Sequence, residues 1–129
     1  LPEVISTMAL ANRKEIAELL FSSAWKALGK TIRSEQGYDP AALMVLHTWN
    51  QKLDSHWHVH ALVPGGGPTF DDGSWTAATA PVVEGLDDAR SYLVDAINLR
   101  SSFRKFAIAH LQRLRNSGKL KLGGSLDYL

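Results

Sequence analysis

The string "HWHVHALV" at residues 56–63 constrains the fold of this chain more than any other segment. Side chains alternate between the two faces of a β-strand, so His56, His58 and His60 would share one face. The other face would be uniformly apolar, with Trp57, Val59, Ala61 and Val63. Because an apolar sheet face must be covered, the pattern predicts an antiparallel sheet with helices packed on the face opposite the histidines.

A second strand is predicted just before this one. The segment "LMVLHTW" (Leu43–Trp49) is rich in β-branched and aromatic residues, as are residues 57–63, and a polar connection separates the two. If residues 50–55 form the loop of a hairpin, His47 lies opposite His58, and Trp49 lies opposite residue 56. Directly opposed residues have Cβ atoms about 4.5–5.5 Å apart. We therefore expect His47, His58 and the neighbouring His60 to converge on one point.

Three converging imidazoles indicate a metal site. A single strand histidine is usually a half-exposed or hydrogen-bonded residue, and His110, on an apolar helical stripe, is expected to have only a packing role. Several potential cations side by side destabilise a fold unless something neutralises or coordinates them. Clustered histidines are a recognised sign of metal binding. His47, His58 and His60 are the predicted ligands, with an open position for a substrate oxygen.

Helices are predicted on both sides of the hairpin. Residues 12–36 carry an apolar stripe at helical spacing, and Asn12 with Glu15 resembles a capping box. In the last third, apolar residues recur at helical intervals over residues 103–114, and a helical turn or two is expected over residues 87–98.

Turn residues mark the ends of these elements. "NSG" at residues 116–118 supplies a stop for the last helix. "PGGGP" is expected to end the second strand, and a short strand is expected near residues 74–77. Helices flanking a hairpin make an α+β class, and 129 residues are most simply one domain.

The distribution of charge is more informative than its sum. The formal net charge is +1, from 14 basic and 13 acidic residues, but residues 100–121 hold seven basic residues and no acidic one. This composition is compatible with a polyanionic partner, although a solvated helix face is the simpler reading. The chain has no cysteine, which excludes disulfides and thiolate metal sites. No apolar run is long enough to span a bilayer, so no membrane partner is expected.

The histidine region also carries a resemblance to a known family. His58-Val59-His60 is a His-hydrophobic-His element, the signature of HUH single-strand endonucleases. The wider strings "VLHTWNQKL", "HWHVHALVPGGG", "FRKF" and "GKLKL" resemble the two-tyrosine transposases of rolling-circle insertion sequences, over residues 1–122. The resemblance implies an HUH-like antiparallel sheet whose hairpin carries the histidine motif, in a partial catalytic core spanning residues 1–129.

The resemblance implies an enzyme that nicks single-stranded or hairpin DNA and transfers the strand through a phosphotyrosine. A divalent ion held by His58, His60 and a third ligand would polarise the scissile phosphate. In related relaxases the third ligand is a histidine on the neighbouring strand, at a spacing like that of His47 from His58. His56 is expected to support the ligands without binding the ion.

The family also implies which ion and which cations take part. Imidazole ligands alone would favour Zn²⁺, Ni²⁺ or Cu²⁺, but the family uses Mg²⁺ or Mn²⁺, and we expect one of these in preference to Zn²⁺. The residues expected to contact DNA phosphates are Arg104, Lys105, Arg113 and Arg115. A bacterial cytoplasmic, nucleoid-associated location would follow.

Two departures from the family modify the expectation. The family's nucleophile motif, Tyr-Leu-x-Arg-Tyr, does not occur, and none of Tyr38, Tyr92 and Tyr128 is expected to be the nucleophile. The first strand and the zinc module usual in the family are not found before Leu1, and the absence of an initiator Met suggests a piece of a longer chain. We therefore expect this chain to bind metal and DNA without cutting.

Two alternatives stay open at this point. The chain could be a non-catalytic remnant that binds metal and single-stranded DNA, or an unrelated histidine-lined metalloenzyme. The basic stretch over residues 100–121 argues against the second. The DNA sequence bound and the oligomeric state are left open.

Overall fold

The computed structural model describes residues 1–49, 52, 55–79 and 93–121. Within them the element order is α1 (Glu3–Ala11), α2 (Arg13–Gln36), β1 (Leu43–Trp49), β2 (Ser55–Leu62), β3 (Gly66–Pro68), β4 (Trp75–Ala77) and α3 (Ala96–Asn116). The strands form two antiparallel pairs, β1 with β2 and β3 with β4. This confirms the α+β class with antiparallel sheets. Among the described residues, no helix has the length and apolar character needed to cross a membrane.

Helix α2 is the predicted helix, and Asn12 stands at its N-cap position as expected, but the side-chain capping bond is absent. The helix begins at Arg13, and the predicted capping box is wrong. The Asn12 amide is buried and pairs with the backbone of Lys121 instead: Nδ2 donates to the carbonyl oxygen (3.0 Å), and Oδ1 accepts from the amide nitrogen (2.6 Å). A tertiary contact thus occupies the side chain that a local cap would need. Gly37, at φ 74°, ends the helix.

Helix α1 was not predicted from the sequence. Its large apolar residues do not form one stripe: Met8 is buried, whereas Val4 and Leu10 are exposed. Helical periodicity is therefore weak here. The helix is held by tertiary packing, because Ala9 lies in the main core.

The main core lies between the hairpin and the helices. Buried Ile16 and Leu20 of α2 pack with Trp57 of β2, and Leu46, Val59 and Phe103 pack against this cluster. The helices therefore cover the apolar face of the hairpin, which confirms the predicted arrangement. A second cluster contains Ile32, Tyr38 and Val94.

The hairpin register follows the prediction except near the loop. His47 pairs with His58, as expected, but Trp49 pairs with Ser55 and not with His56. The register shifts between these two pairs. Two residues of β2, His56 and Trp57, therefore stand opposite one residue of β1, Thr48, as in a β-bulge. β2 also begins at Ser55 and ends at Leu62, whereas the expected span was residues 57–63.

The glycine-rich segment does not simply end the second strand. β3 forms there and pairs with β4, the predicted short strand. Glycine is a poor strand residue in general, but here it permits a close approach: a Cβ on Gly67 would collide with the Tyr38 ring and the Asp39 carbonyl oxygen. The turn between these strands is closed by Asp72, whose Oδ1 accepts hydrogen bonds from Ser74 N and Thr69 Oγ1, both 2.9 Å.

Helix α3 confirms the predicted apolar stripe and stop signal. The Asp95 side chain caps its N-terminus by accepting a bond from Asn98 N (2.9 Å), and Gly118 takes φ 69° just beyond its end. A helical turn was expected over residues 87–98, and the part of this range up to residue 92 lies outside the described residues. Residues 93–95 are not helical, so α3 begins at Ala96.

Candidate metal centre

Three histidines converge on the open face of the hairpin. One ring nitrogen from each of His47, His58 and His60 lies within 4.8 Å of the other two. The ring centroids of His47 and His60 are 4.1 Å apart, and those of His58 and His60 are 4.9 Å apart. Cross-strand pairing brings His47 to His58, and strand alternation puts His60 on the same face. The predicted convergence of these three side chains is therefore observed.

The backbone of the same strand fixes the orientation of one ring. His58 Nδ1 lies 2.9 Å from the carbonyl oxygen of His56. Because a carbonyl oxygen only accepts, this hydrogen bond requires a proton on Nδ1, and in the neutral ring the lone pair is then on Nε2. A hydrogen bond at the second ring nitrogen is the usual way in which a ligand histidine is oriented. His56 thus supports His58 through its backbone, while its own exposed ring lies 5.1 Å from that of His58, centroid to centroid.

The separation of the ring nitrogens fits a common metal ion. His58 Nε2 and His60 Nε2 are 3.0 Å apart. Two nitrogens bound at about 2.1 Å to one ion, at angles between right-angled and tetrahedral, are separated by about 3.0–3.4 Å. A small side-chain rotation would bring all three nitrogens, now within 4.8 Å, to that spacing. The donor set fits a divalent ion with open positions for other ligands.

The electrostatics of the cluster favour the neutral form of His47. Partial burial lowers the pKa of His47 below its ordinary value, and the nearby rings of His60 and His58 lower that pKa further. Neutral imidazole is the form that binds a metal ion. His47 and His58 are half-buried and His60 is exposed, so solvent has access to the cluster.

Trp49 extends the cluster and was missed by the sequence reasoning. Its ring stacks on that of His47, with centroids 5.3 Å apart and planes 8° apart, and the residue is 51% exposed. It also borders a cleft of about 370 Å³ that contains Arg13, at the start of α2. The sequence signal was available, because Trp49 is two residues from His47 and so lies on the same face of the strand.

The four predicted DNA-binding cations are all exposed on α3, but they do not share one face. At about 100° per residue, Arg104 and Arg115 are nearly aligned, roughly three turns apart. Arg113 lies on the opposite side of the helix from Arg104, and Lys105 lies between these sides. The geometry thus groups Arg104 with Arg115 and separates the other two.

Arg100, which was not among the predicted four, borders a cleft that hairpin residues also line. It lines an open, mostly apolar cleft of about 650 Å³ together with His58, Trp57 and Phe103. The sequence reasoning counted Arg100 in the basic stretch but did not select it, because its position relative to the hairpin depends on helix packing. His110 is half-buried on α3, in accord with its expected packing role.

Tyr38, the one tyrosine among the described residues, is not accessible as a nucleophile. Tyr38 is fully buried in the second cluster, far from solvent access, and burial raises the pKa of its hydroxyl. Tyr92 and Tyr128 lie outside the described residues.

Comparisons with known proteins place the chain in a family. Residues 41–128 match the family described as "Putative transposase". The chain is also 31% identical over 132 aligned residues to "Putative transposase y4qJ" of Sinorhizobium fredii, an alignment that covers 100% of this chain and 30% of that protein. The chain thus spans about 30% of the length of this relative. No solved structure matches this chain.

Proposed function

Because this chain belongs to the "Putative transposase" family, we propose that it is the part of a transposase that binds single-stranded DNA and holds a divalent ion at the scissile phosphate. One observation carries this proposal: three histidine nitrogens lie within 4.8 Å of one another on an open sheet face. A cluster buried in the core would suggest packing, but this one is accessible to a phosphate. The fold and mechanism proposed are those of an HUH-type single-strand endonuclease.

In this proposal His47, His58 and His60 hold Mg²⁺ or Mn²⁺. The bound ion supplies Lewis-acid polarisation of a phosphate oxygen. The chain's own contribution is to position it: the His56 carbonyl keeps the proton of His58 on Nδ1, so Nε2 faces the site as a lone-pair donor. The core behind the hairpin holds the strand that carries two of the ligands.

The covalent step belongs to a tyrosine hydroxyl. Its oxygen would attack the scissile phosphorus, release the 3′ hydroxyl of the preceding nucleotide and retain the 5′ phosphate as a phosphotyrosine. Tyr38 is unsuitable for this role because it is buried. We propose that the nucleophile is not among the tyrosines of this chain, so that the chain alone binds its ligands without cleaving DNA.

The DNA strand is proposed to leave the metal centre along basic residues. Arg104 and Arg115 share one face of α3, and Arg100 lines a cleft on the helix-covered face of the hairpin, so the strand would pass around an edge of the sheet to reach them. Arginines at phosphates provide sequence-independent affinity that weakens with salt. Lys105 and Arg113 remain candidates for contacts on other sides of the helix.

The test combines metal binding, DNA binding and cleavage. We expect Mn²⁺ to bind the chain and to strengthen its binding of a labelled single-stranded oligonucleotide. His58→Ala should remove this effect, whereas His56→Ala, which keeps the supporting carbonyl, should retain it. A His58→Ala variant that binds Mn²⁺ as the unaltered chain does would overturn the proposed ligand set.

Cleavage is read separately by denaturing electrophoresis. Incubation of the chain with Mn²⁺ and labelled DNA should give no covalent adduct. An adduct that disappears on Tyr128→Phe would contradict the proposal that this chain lacks the nucleophile. It would leave the metal centre in place and assign the attack to Tyr128.

A further inference from the structure

We propose that Trp49 is a stacking platform for one nucleobase of the DNA strand, and that Arg13 contacts an adjacent phosphate. This inference rests on the proposed function, since it concerns the strand held at the histidine cluster. It adds a subsite that the ligand set does not require, and it explains why the strand would be unpaired there. A base can lie flat on an aromatic ring only after leaving its duplex stack.

The position of the Trp49 ring is the first observation. One face of the indole stacks on His47, with the ring planes 8° apart, and the residue is 51% exposed. His47 fixes the ring, so little side-chain freedom remains to be lost when a base stacks. Exposed aromatic rings of this kind bind the bases of single strands with little sequence preference.

The distance to the metal centre is the second observation. The centroids of Trp49 and His47 are 5.3 Å apart, and His47 is a proposed ligand. The phosphate and the base of one nucleotide are separated by a sugar, and their separation is of the same order as that between the two rings. A nucleotide with its phosphate at the histidine cluster would therefore place its own base, or that of its neighbour, at Trp49.

The cleft beside Trp49 is the third observation. Its volume is about 370 Å³, and it is lined by Leu10, Arg13, Thr48, Trp49, Ser55 and Trp57. This is at the small end of the range of ligand sites, about 300–1,000 Å³. Arg13 is exposed and forms no ion pair with any residue in the described part of the chain. The lining combines the two tryptophans and Leu10 with polar Thr48 and Ser55 and the Arg13 cation, a mixture that suits a base and a phosphate.

The experiment compares two oligonucleotides of equal length, an oligodeoxyadenylate and an abasic strand with the same phosphates. Fluorescence anisotropy measures their affinities for the chain with and without Mn²⁺. Trp49→Leu should weaken oligodeoxyadenylate binding about fivefold to 150-fold, the range for loss of one stacked base. It should leave binding of the abasic strand unchanged. Trp49→Phe, which keeps an aromatic face, should restore most of the affinity.

The contribution of Arg13 to DNA binding is distinguished from that of Trp49 by its dependence on salt concentration. Arg13→Gln should weaken binding of both oligonucleotides and lower the slope of log K against log salt by about 0.7, the value for one phosphate contact on a single strand. Trp49→Leu should not change that slope. Trp75→Leu is the matched control, because Trp75 is also exposed but lies on the other sheet, beyond the far end of the hairpin.

The outcomes are distinct. If the Trp49→Leu variant bound both oligonucleotides with unaltered affinity, the proposed stacking platform would be overturned. An equal loss of affinity for both oligonucleotides would also overturn it, because that result would indicate a structural defect. An effect of Trp75→Leu as large as that of Trp49→Leu would overturn it too. The Mn²⁺ arm addresses the proposed function by itself: affinity indifferent to Mn²⁺ and to His58→Ala would refute metal-assisted DNA binding, whatever the tryptophan variants show.

Discussion

Replacing Trp57 by alanine should cost the protein a large part of its stability. Trp57 is 4% exposed and packs with Ile16 and Leu20 in the main core. A buried tryptophan removes about 150–250 Å² from water, which corresponds to about 4–6 kcal/mol at 25 cal/mol per Å². Alanine retains part of this burial, so we expect Trp57→Ala to lower the free energy of unfolding by about 3–5 kcal/mol. Domains of this kind have about 5–15 kcal/mol in total.

The measurement is urea denaturation followed by far-UV circular dichroism, with the chain and the variant compared at the same temperature. The midpoint should fall while the slope m stays constant, because the same surface is exposed on unfolding. Trp75→Ala is the matched control. Trp75 is 69% exposed, so the same reasoning gives about 1–2 kcal/mol.

The result that would refute this reasoning is a Trp57→Ala loss no larger than that of Trp75→Ala. In that case Trp57 would not be packed in the core. The apolar face of β2 would then not be the covered one, and the placement of the histidines on the open face would fail with it.

Three further predictions concern the ligands and the pH. A divalent ion at about 100 times its Kd should raise the free energy of unfolding by about 2.7 kcal/mol, seen as a higher melting temperature; His58→Ala should abolish the rise and His56→Ala should not. Arg104→Gln and Arg115→Gln should each lower the salt slope of single-stranded DNA binding by about 0.7, and a larger effect of Arg113→Gln, on the opposite side of α3, would contradict the proposed path. Hydrogen bonds from Ser74 and Thr69 lower the pKa of Asp72 from 3.8 to about 2, so its contribution to stability is present above about pH 4 and is lost as the pH falls toward 2. Asp72→Asn should remove this part of the acid dependence in urea titrations, and Asp71→Asn should leave it.

Much of the hairpin could be predicted from the sequence because one strand meets two constraints at once. The apolar face of residues 57–63 had to be covered, and that requirement oriented the histidines. The bulge near Trp49 could not be predicted, since the extra residue in β2 depends on the loop and not on the pattern of either strand. The pair His47–His58 lies on the side of the bulge away from the loop, where the register is regular. The error in the predicted register near Trp49 therefore did not affect it.

Two of the misses elsewhere have a common physical origin. Helix α1 lacks a single apolar stripe, and Asn12 is satisfied by a residue more than a hundred positions away. Local sequence cannot signal either feature, because tertiary contacts override local propensity. The four cations of α3 were selected for their charge and their closeness in sequence, whereas helical geometry separates Arg113 from Arg104.

The two faces of β2 make the structural and ligand-binding roles separable by experiment. Trp57 and His58 are adjacent in sequence, but one packs in the core and the other points to the open face. A substitution at Trp57 should therefore weaken folding first, and metal binding only as a consequence. A substitution at His58 should leave the free energy of unfolding without metal nearly unchanged and remove only the increase that metal gives. If His58→Ala instead destabilised the metal-free chain as strongly as Trp57→Ala, the histidines would be packing residues, and a metal centre would not be needed to explain their arrangement.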